Sequence, residues 1–176
     1  MVHGDDFTIL GWECQLDWFK ETMNKRFENK HRGRIGPRPH DDKSIRILNR
    51  VVEWTDNGIE YEADQRHAEI IAKEMNLDEN SRSLSTPGIK GSIRYEDEEK
   101  LTREEARRYR GMVARANYLG QGRSDIQYSV KELSRNMSNP SKTDWEKLKR
   151  LARYLVNKIR IVVTHQYQEM PSRITV

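Results

Sequence analysis

The sequence predicts an α+β fold, and three of its patterns carry that prediction. Within residues 1–63, short apolar runs alternate with turn residues, which is typical of β-hairpins. Between residues 102 and 158, apolar side chains recur at the three- and four-residue spacing of amphipathic helices. Residues 160–167 are rich in β-branched side chains and predict a final strand. Hairpins at the front, helices behind them and one closing strand together make an α+β chain.

The composition indicates a lean core and a heavily solvated surface. The chain has 176 residues, 35% of them hydrophobic and 34% charged, so it suffices for one domain or for part of a larger one. Its single cysteine, Cys14, cannot form an internal disulfide, which favours a reducing compartment, and we expect Cys14 to be partly buried in a helix. No membrane span or signal peptide is recognisable, so we expect a cytoplasmic or nuclear protein without a membrane partner.

The first predicted element is a β-hairpin over residues 1–11, with Asp5 and Asp6 at its tip. An apolar run, a turn with paired acids and a second apolar run ending at Gly11 form the pattern. Two adjacent carboxylates can hold Mg²⁺, the ion with which polymerases activate a primer hydroxyl. Paired acids also occur at surface turns solely for local hydrogen bonding. We expect both carboxylates to be accessible to solvent.

An amphipathic helix is predicted next, over residues 13–29. Its apolar residues recur at helical spacing and are expected to be buried: Leu16, Phe19, Met23 and Phe27. Trp12 and Trp18 fall outside this stripe, which suits packing against a neighbouring element. A basic loop or short strand punctuated by glycine and proline follows at residues 31–39.

A second hairpin and a helix are predicted in residues 44–75. The β-branched residues 44–54 form one strand, residues 55–58 supply an Asn-Gly turn, and residues 59–63 form the returning strand. Asp64 is expected to cap the helix, with His67 on its solvent-facing side. The buried face of that helix is predicted to consist of Ala68, Ile71, Ala72 and Met75.

Residues 77–101 are polar, include the acidic run 96–99, and predict a linker between the N-terminal hairpins and the C-terminal helices.

Three helices are expected after the linker. Their start signals are Thr102 with Glu105, Ser124 or Asp125, and Thr143 with Glu146. Their predicted apolar stripes are Ala106, Tyr109, Val113 and Ala116, then Ile126, Val130, Leu133 and Met137, and finally Trp145, Leu148, Ala152 and Leu155.

Charge is distributed unevenly along the chain. Residues 100–160 contain 16 Lys/Arg against 6 Asp/Glu, whereas residues 1–99 contain 15 against 21. A basic helical half suits a phosphate backbone as partner, although solvated helix faces produce the same pattern. The side chains expected to contact phosphate are Arg107, Arg108, Lys147, Arg150 and Arg153. Alternatively, the acidic run 96–99 folds over this surface and neutralises it.

Several motifs resemble those of a known family. Val2-His3-Gly4-Asp5-Asp6-Phe7 resembles the aromatic-x-Asp-Asp box of reverse transcriptases, and also the Gly-Asp-Asp box of viral RNA-dependent RNA polymerases. The later motifs look like the copia-type retrotransposon Pol polyprotein, in the block between polymerase and RNase H. These motifs are Thr86-Pro87, Arg123-Ser124-Asp125-Ile126-Gln127-Tyr128-Ser129-Val130, Leu133-Ser134-Arg135, Met137-Ser138-Asn139-Pro140, Trp145 and Arg153-Tyr154-Leu155.

The resemblance implies a layout for the chain. Residues 1–76 would be the C-terminal part of a polymerase palm, with a primer-grip-like hairpin between Ile45 and Tyr61. Residues 77–101 would be a linker, residues 102–158 a thumb- or connection-like segment, and residues 159–176 the beginning of an RNase H-like strand.

The resemblance also implies roles. Asp5 and Asp6 would be catalytic Mg²⁺ ligands in RNA-directed DNA synthesis, with a primer-template and the rest of the Pol polyprotein as partners. The family takes a third palm carboxylate from an upstream strand, which would precede Met1. His3 replaces the usual Tyr, and Ser124 replaces the usual Pro. Two alternatives remain: a catalytically dead remnant that binds nucleic acid without sequence preference, and a piece that is unstable alone.

Overall fold

The computed structural model of the protein describes residues 2–4, 6–89 and 99–169. It confirms the α+β prediction: helices accompany a two-stranded and a four-stranded antiparallel sheet. In chain order the elements are β1 (Val2–His3), β2 (Asp6–Phe7), α1 (Glu13–Arg26), β3 (Ser44–Ile47), β4 (Arg50–Thr55), β5 (Gly58–Glu62), α2 (Arg66–Glu74), α3 (Arg103–Gly120), α4 (Gln127–Ser134), α5 (Lys142–Val156) and β6 (Val162–Gln166).

The N-terminal hairpin consists of β1 and β2. Val2 pairs with Phe7 and His3 with Asp6, and Gly4 has a φ of +61°, a conformation that glycine adopts without steric cost. The hairpin prediction is therefore confirmed for Val2–Phe7. Its extension to residue 11 is wrong, because residues 8–11 have no regular structure.

Helix α1 does not bury its apolar stripe. It ends at Arg26, none of its residues is buried, and Phe27 beyond its end is 60% exposed. The expectation that Leu16, Phe19, Met23 and Phe27 form core is wrong, because no other described helix or strand packs against α1. Helical periodicity identifies the face that is suited to burial, but it does not supply the surface that would cover it.

Ion pairs attach α1 to the loop that follows it. Arg34 bonds to Asp17 and lies 3.9 Å from Glu13, and Arg38 also bonds to Glu13. All four side chains are at least partly exposed, so these pairs contribute little to stability. Cys14 is exposed as well, which contradicts its expected partial burial.

The second sheet has the strand order β3-β4-β5-β6, and each neighbouring pair is antiparallel. The strand predicted over residues 44–54 is divided in two by Leu48 and Asn49, whose φ values of +50° and +62° make a tight reversal. The predicted Asn-Gly turn connects β4 with β5. Strand β6 then pairs with β5 along its whole length, so the C-terminal strand and the second hairpin share one sheet.

Helices α2 to α5 form the hydrophobic core of the protein. The predicted stripes are largely confirmed, because their members include the fully buried Ile71, Tyr109, Ile126 and Leu148. Capping boxes start two helices, Thr102 with Glu105 on α3 and Ser141 with Asp144 on α5. The predicted Thr143–Glu146 box is wrong, because Ser141 two residues earlier is already the N-cap.

Contacts among the described residues join the four-stranded sheet to α3 and to the loop after it. The Arg50 Nη2 donates to Gln121 Oε1 at 2.8 Å, and the Tyr118 hydroxyl donates to the Leu48 carbonyl at 3.3 Å. Tyr61 packs so closely on Gly122 that a Cβ there would lie 2.7 Å from the Tyr61 hydroxyl. The loop after α3 thus fixes the sheet against the bundle.

His67 also lies near this junction rather than in solvent, contrary to expectation. Its side chain is 20% exposed, and its ring lies 4.7 Å from that of Tyr118. Burial lowers the pKa of His67, and the nearby carboxylate of Asp64 opposes that change. The sequence periodicity of α2 puts His67 outside the apolar stripe. It does not show that Tyr118, near the C-terminal end of α3, packs against the His67 side of the helix.

Candidate catalytic hairpin and nucleic-acid interface

The N-terminal hairpin presents Asp6 at the first position of β2, directly opposite His3. Asp6 is exposed, as predicted, and Asp5 lies outside the described residues. Val2 and Phe7, the next cross-strand pair, are 63% and 53% exposed. The hairpin therefore carries an accessible carboxylate beside its turn and leaves an apolar pair uncovered.

Among residues 2–4, 6–89 and 99–169, no three His, Cys, Asp or Glu side chains come together as metal ligands. Asp6 supplies one carboxylate, and Mg²⁺ commonly uses one or two protein carboxylates together with substrate phosphates and water. The chemistry of Asp6 thus suits Mg²⁺, while the remaining ligands have to come from other groups.

The Arg123–Asp125 motif forms a buried clamp. Arg123, 1% exposed, donates from Nε and Nη2 to the two carboxylate oxygens of Asp125 at 2.8 and 2.7 Å. Its Nη1 donates to the Lys158 carbonyl at 2.8 Å, which joins the start of α4 to the end of α5. The Tyr154 hydroxyl completes the clamp with a 2.9 Å bond to Asp125. These side chains therefore bond to one another between α4 and α5, and the Asp125 side chain is 26% exposed.

The pKa of Asp125 reflects that clamp. Burial disfavours its carboxylate, but the hydrogen bonds from Arg123 and Tyr154 outweigh burial, and the pKa is lowered. Tyr154 is itself buried, and the Lys158 Nζ lies 4.8 Å from its ring centroid. The clamp therefore keeps a charged pair where two helices meet.

A second polar cluster begins α5. The Asp144 carboxylate, 2% exposed as a residue, accepts from the Ser141 backbone N–H and hydroxyl at 3.0 Å each, and from Asn136 Nδ2 at 2.6 Å. Burial opposes the charge of Asp144, but these bonds lower its pKa. Lys147 lies 3.4 Å from the same carboxylate. Lys147 is one of the five residues expected to contact phosphate, and it instead forms an ion pair within the protein.

Arg107 and Arg108 on α3 differ in their surroundings. Arg107 is exposed. Arg108 donates to the Glu74 carbonyl at 3.2 Å, and its guanidinium carbon lies 5.7 Å from the Trp145 ring centroid. Arg108 therefore links α2, α3 and α5, and Arg107 is the better placed of the two to contact a phosphate.

Arg150 and Arg153 lie beneath a strap that we define as residues 83–88. The strap is part of the predicted linker, and it runs along α5. Arg150 Nη2 donates to the Thr86 hydroxyl at 2.7 Å, and the Arg153 carbonyl accepts from the Leu84 N–H at 3.4 Å. Both arginines are half-buried, so the five expected contacts do not form one open basic surface.

The alternative in which the acidic run 96–99 covers the basic helices lies mostly outside the described residues. In the described part, the strap contacts the Arg150 side chain and the Arg153 carbonyl. Within the run only Glu99 is described, because residues 90–98 lie outside the described part of the chain. Glu99 pairs with Lys142 at 2.6 Å at the beginning of α5. Glu99 therefore contacts the first residue of α5, Lys142, and the ion pair does not involve Arg150.

Sequence reasoning missed a groove between α3 and α4. Its lining is largely apolar, and its polar side chains are Asn117, Gln121, Gln127, Lys131, Ser134 and Arg135. Asn117 on α3 and Gln127 and Lys131 on α4 lie off the apolar stripes of their helices, which is a signal that the sequence contains. Their convergence depends on the packing of α3 on α4, which the stripes alone do not specify.

Comparison with known proteins identifies no relative of this chain. No family model, no curated protein and no solved structure matches the chain. Within the described residues, no helix is both long and apolar enough to cross a membrane.

Proposed function

We propose that the chain is a fragment of a copia-type retrotransposon reverse transcriptase, with Asp5 and Asp6 as Mg²⁺ ligands in nucleotidyl transfer by the intact polyprotein. The observation that supports this most is the antiparallel hairpin Val2–Phe7, which presents an exposed Asp6 beside a glycine turn. A carboxylate at such a tip can approach a primer terminus and a nucleotide phosphate from one side.

The uncovered apolar surface of the N-terminal part is consistent with this proposal. An isolated two-stranded hairpin is marginally stable in water, and its strand edges invite further pairing. Trp12 and Trp18 are 74% and 66% exposed, and Leu10 is 97% exposed. The remainder of a polymerase palm would cover these side chains and add strands to β1 or β2.

The isolated chain is expected to be inactive as a polymerase. A two-metal mechanism requires ligands that fix both ions, and the family pattern takes a further carboxylate and the nucleotide pocket from upstream segments. Primer extension by the pure 176-residue chain that depends on Asp6 would contradict this expectation.

The genomic sequence upstream of the Met1 codon provides the first test. An open frame encoding a further palm carboxylate supports the polymerase, and an interrupted frame favours a remnant. The protein encoded by that frame together with this chain is then assayed for Mg²⁺-dependent extension on an RNA template. Asp6→Asn should abolish extension, whereas Glu79→Gln, which removes an exposed acid in the predicted linker, should leave it intact.

A second candidate is a non-catalytic module that binds nucleic acid. The excess of Lys and Arg between residues 100 and 160, together with the exposed Arg107, favours it. Fluorescence anisotropy of a short labelled DNA strand distinguishes the roles. Binding by the isolated chain that persists in Asp6→Asn and without Mg²⁺ supports the module, and absence of binding at low salt excludes it.

A further inference from the structure

The strap is held on α5 by its backbone and by two side-chain hydrogen bonds. Ser83 Oγ accepts from Asn157 Nδ2 at 2.5 Å, and Thr86 Oγ1 accepts from Arg150 Nη2 at 2.7 Å. At its far end, Gly88 lies so close to α4 that a Cβ would be 2.5 Å from Ser129 Oγ. The strap therefore runs along a defined course from α5 to α4.

The guanidinium of Arg150 has an unused donor at this contact. Its Nε is shielded from solvent and has no hydrogen-bond partner among the described residues. The Nε–H and one Nη2–H of an arginine point from the same edge of the planar group and together match two oxygens of a carboxylate or phosphate. The single Thr86 hydroxyl oxygen accepts only from Nη2, so half of this edge is unsatisfied.

Thr86 itself is an exposed residue in irregular backbone. It precedes Pro87, and it is the only serine or threonine in the sequence that precedes a proline. Protein kinases act on hydroxyls that an exposed and locally extended segment can deliver, and one kinase class requires proline directly after the acceptor. The hydroxyl that meets this requirement is also the one bonded to Arg150.

We propose that Thr86 is a phosphorylation site for a proline-directed protein kinase, and that the phosphate fastens the strap to Arg150. In the transfer, the bond from the γ-phosphorus to the bridging oxygen of ATP breaks and a bond to Thr86 Oγ1 forms. The hydroxyl proton goes to the catalytic carboxylate of the kinase, and ADP leaves. The phosphate then offers separate oxygens to Nε and Nη2 of Arg150, and charge-assisted bonds replace one neutral acceptor.

The first experiment tests the acceptor. The full chain is incubated with a proline-directed serine/threonine kinase and ATP, and the site is located by fragmentation mass spectrometry. One phosphate on Thr86, absent from Thr86→Val and from Pro87→Ala, is expected. Failure of the folded chain to accept phosphate, or phosphate on Ser83 or Ser85 instead, overturns the proposal.

The second experiment tests the contact with Arg150. Phosphorylation should raise the Tm of the wild-type chain by about 2–4 °C, and this increase should disappear in Arg150→Gln. Phosphorus NMR gives an independent measurement: the second phosphate pKa should be lower in the wild type than in phosphorylated Arg150→Gln. An equal Tm increase in both proteins, or equal phosphate pKa values, would mean that Arg150 does not bind the phosphate and would overturn the proposal.

Discussion

Among the charged residues of the helical half, some form ion pairs inside the protein and others are exposed to solvent. Arg123 and Arg107 belong to the same basic stretch of sequence, yet Arg123 is enclosed in a clamp and Arg107 faces solvent. The difference arises because Asp125 lies two residues after Arg123 and takes both donors of its guanidinium edge. A count of charges along the chain cannot separate these roles, since it contains no information about which side chains pair.

Arg123→Gln is expected to lower the free energy of unfolding by about 3 kcal/mol, because it leaves Asp125 without its charged partner and removes the bond to the Lys158 carbonyl. Urea denaturation measures the change. Arg107→Gln removes an exposed charge on α3 and should change stability by less than about 0.5 kcal/mol. Equal effects of the two substitutions would show that the clamp does not stabilise the protein.

The same clamp predicts a pH dependence. The folded-state pKa of Asp125 lies below its unfolded value, so its contribution is fully present above the unfolded pKa and is lost as pH falls towards the folded pKa. Between about pH 5 and pH 2, unfolding free energy should therefore fall less steeply in Asp125→Asn than in the wild type. Urea denaturation at several pH values measures the slopes, with Asp56→Asn as the control. Parallel curves for wild type and Asp125→Asn would contradict the assignment.

At the scale of elements, local signals located most helices and strands, and tertiary contacts decided how each is used. The α3 start was predictable because Thr102 and Glu105 satisfy each other's backbone groups. The α1 stripe had an equally regular period but remains uncovered. The linker was recognised by its polar composition, whereas its course over α5 depends on Arg150 and Asn157, far away in sequence.

Two glycines provide a matched test of element packing. A Cβ at Gly58 would lie 2.2 Å from the His165 carbonyl oxygen, so Gly58→Ala should disturb the β5–β6 pairing and cost about 1–3 kcal/mol. Gly111 lies on the exposed face of α3 with nothing within 4 Å of such a Cβ, and Gly111→Ala should stabilise by about 0.5–1 kcal/mol. Thermal or urea unfolding measures both. A neutral Gly58→Ala would indicate that β6 does not approach β5 this closely.

Considered as a whole, the molecule has a well-buried helical bundle, a half-exposed sheet and an N-terminal part that buries little. The bundle could be predicted because its stripes face one another within the chain, as with Tyr109 on α3 donating to the Leu133 carbonyl at 2.8 Å. For the hairpin, the sequence predicts the turn and the exposed Asp6, and the Mg²⁺ site stays a prediction because its further ligands would come from other segments. Hydrophobic exposure is concentrated in the part that carries the candidate catalytic residues.

The last prediction concerns how the basic half meets nucleic acid. Affinity for a short DNA strand should fall by roughly a decade or more between about 50 and 200 mM salt, because phosphate contacts release counterions. Arg107→Gln should weaken binding and reduce the salt slope by about one unit. Arg150→Gln should have a smaller effect, since its guanidinium is bonded to Thr86 beneath the strap. Arg160→Gln, which removes a cation paired with Glu62 at 2.9 Å, serves as the control. Anisotropy titrations at several salt concentrations measure all four proteins, and a larger loss in Arg150→Gln than in Arg107→Gln would show that the strap opens when nucleic acid binds.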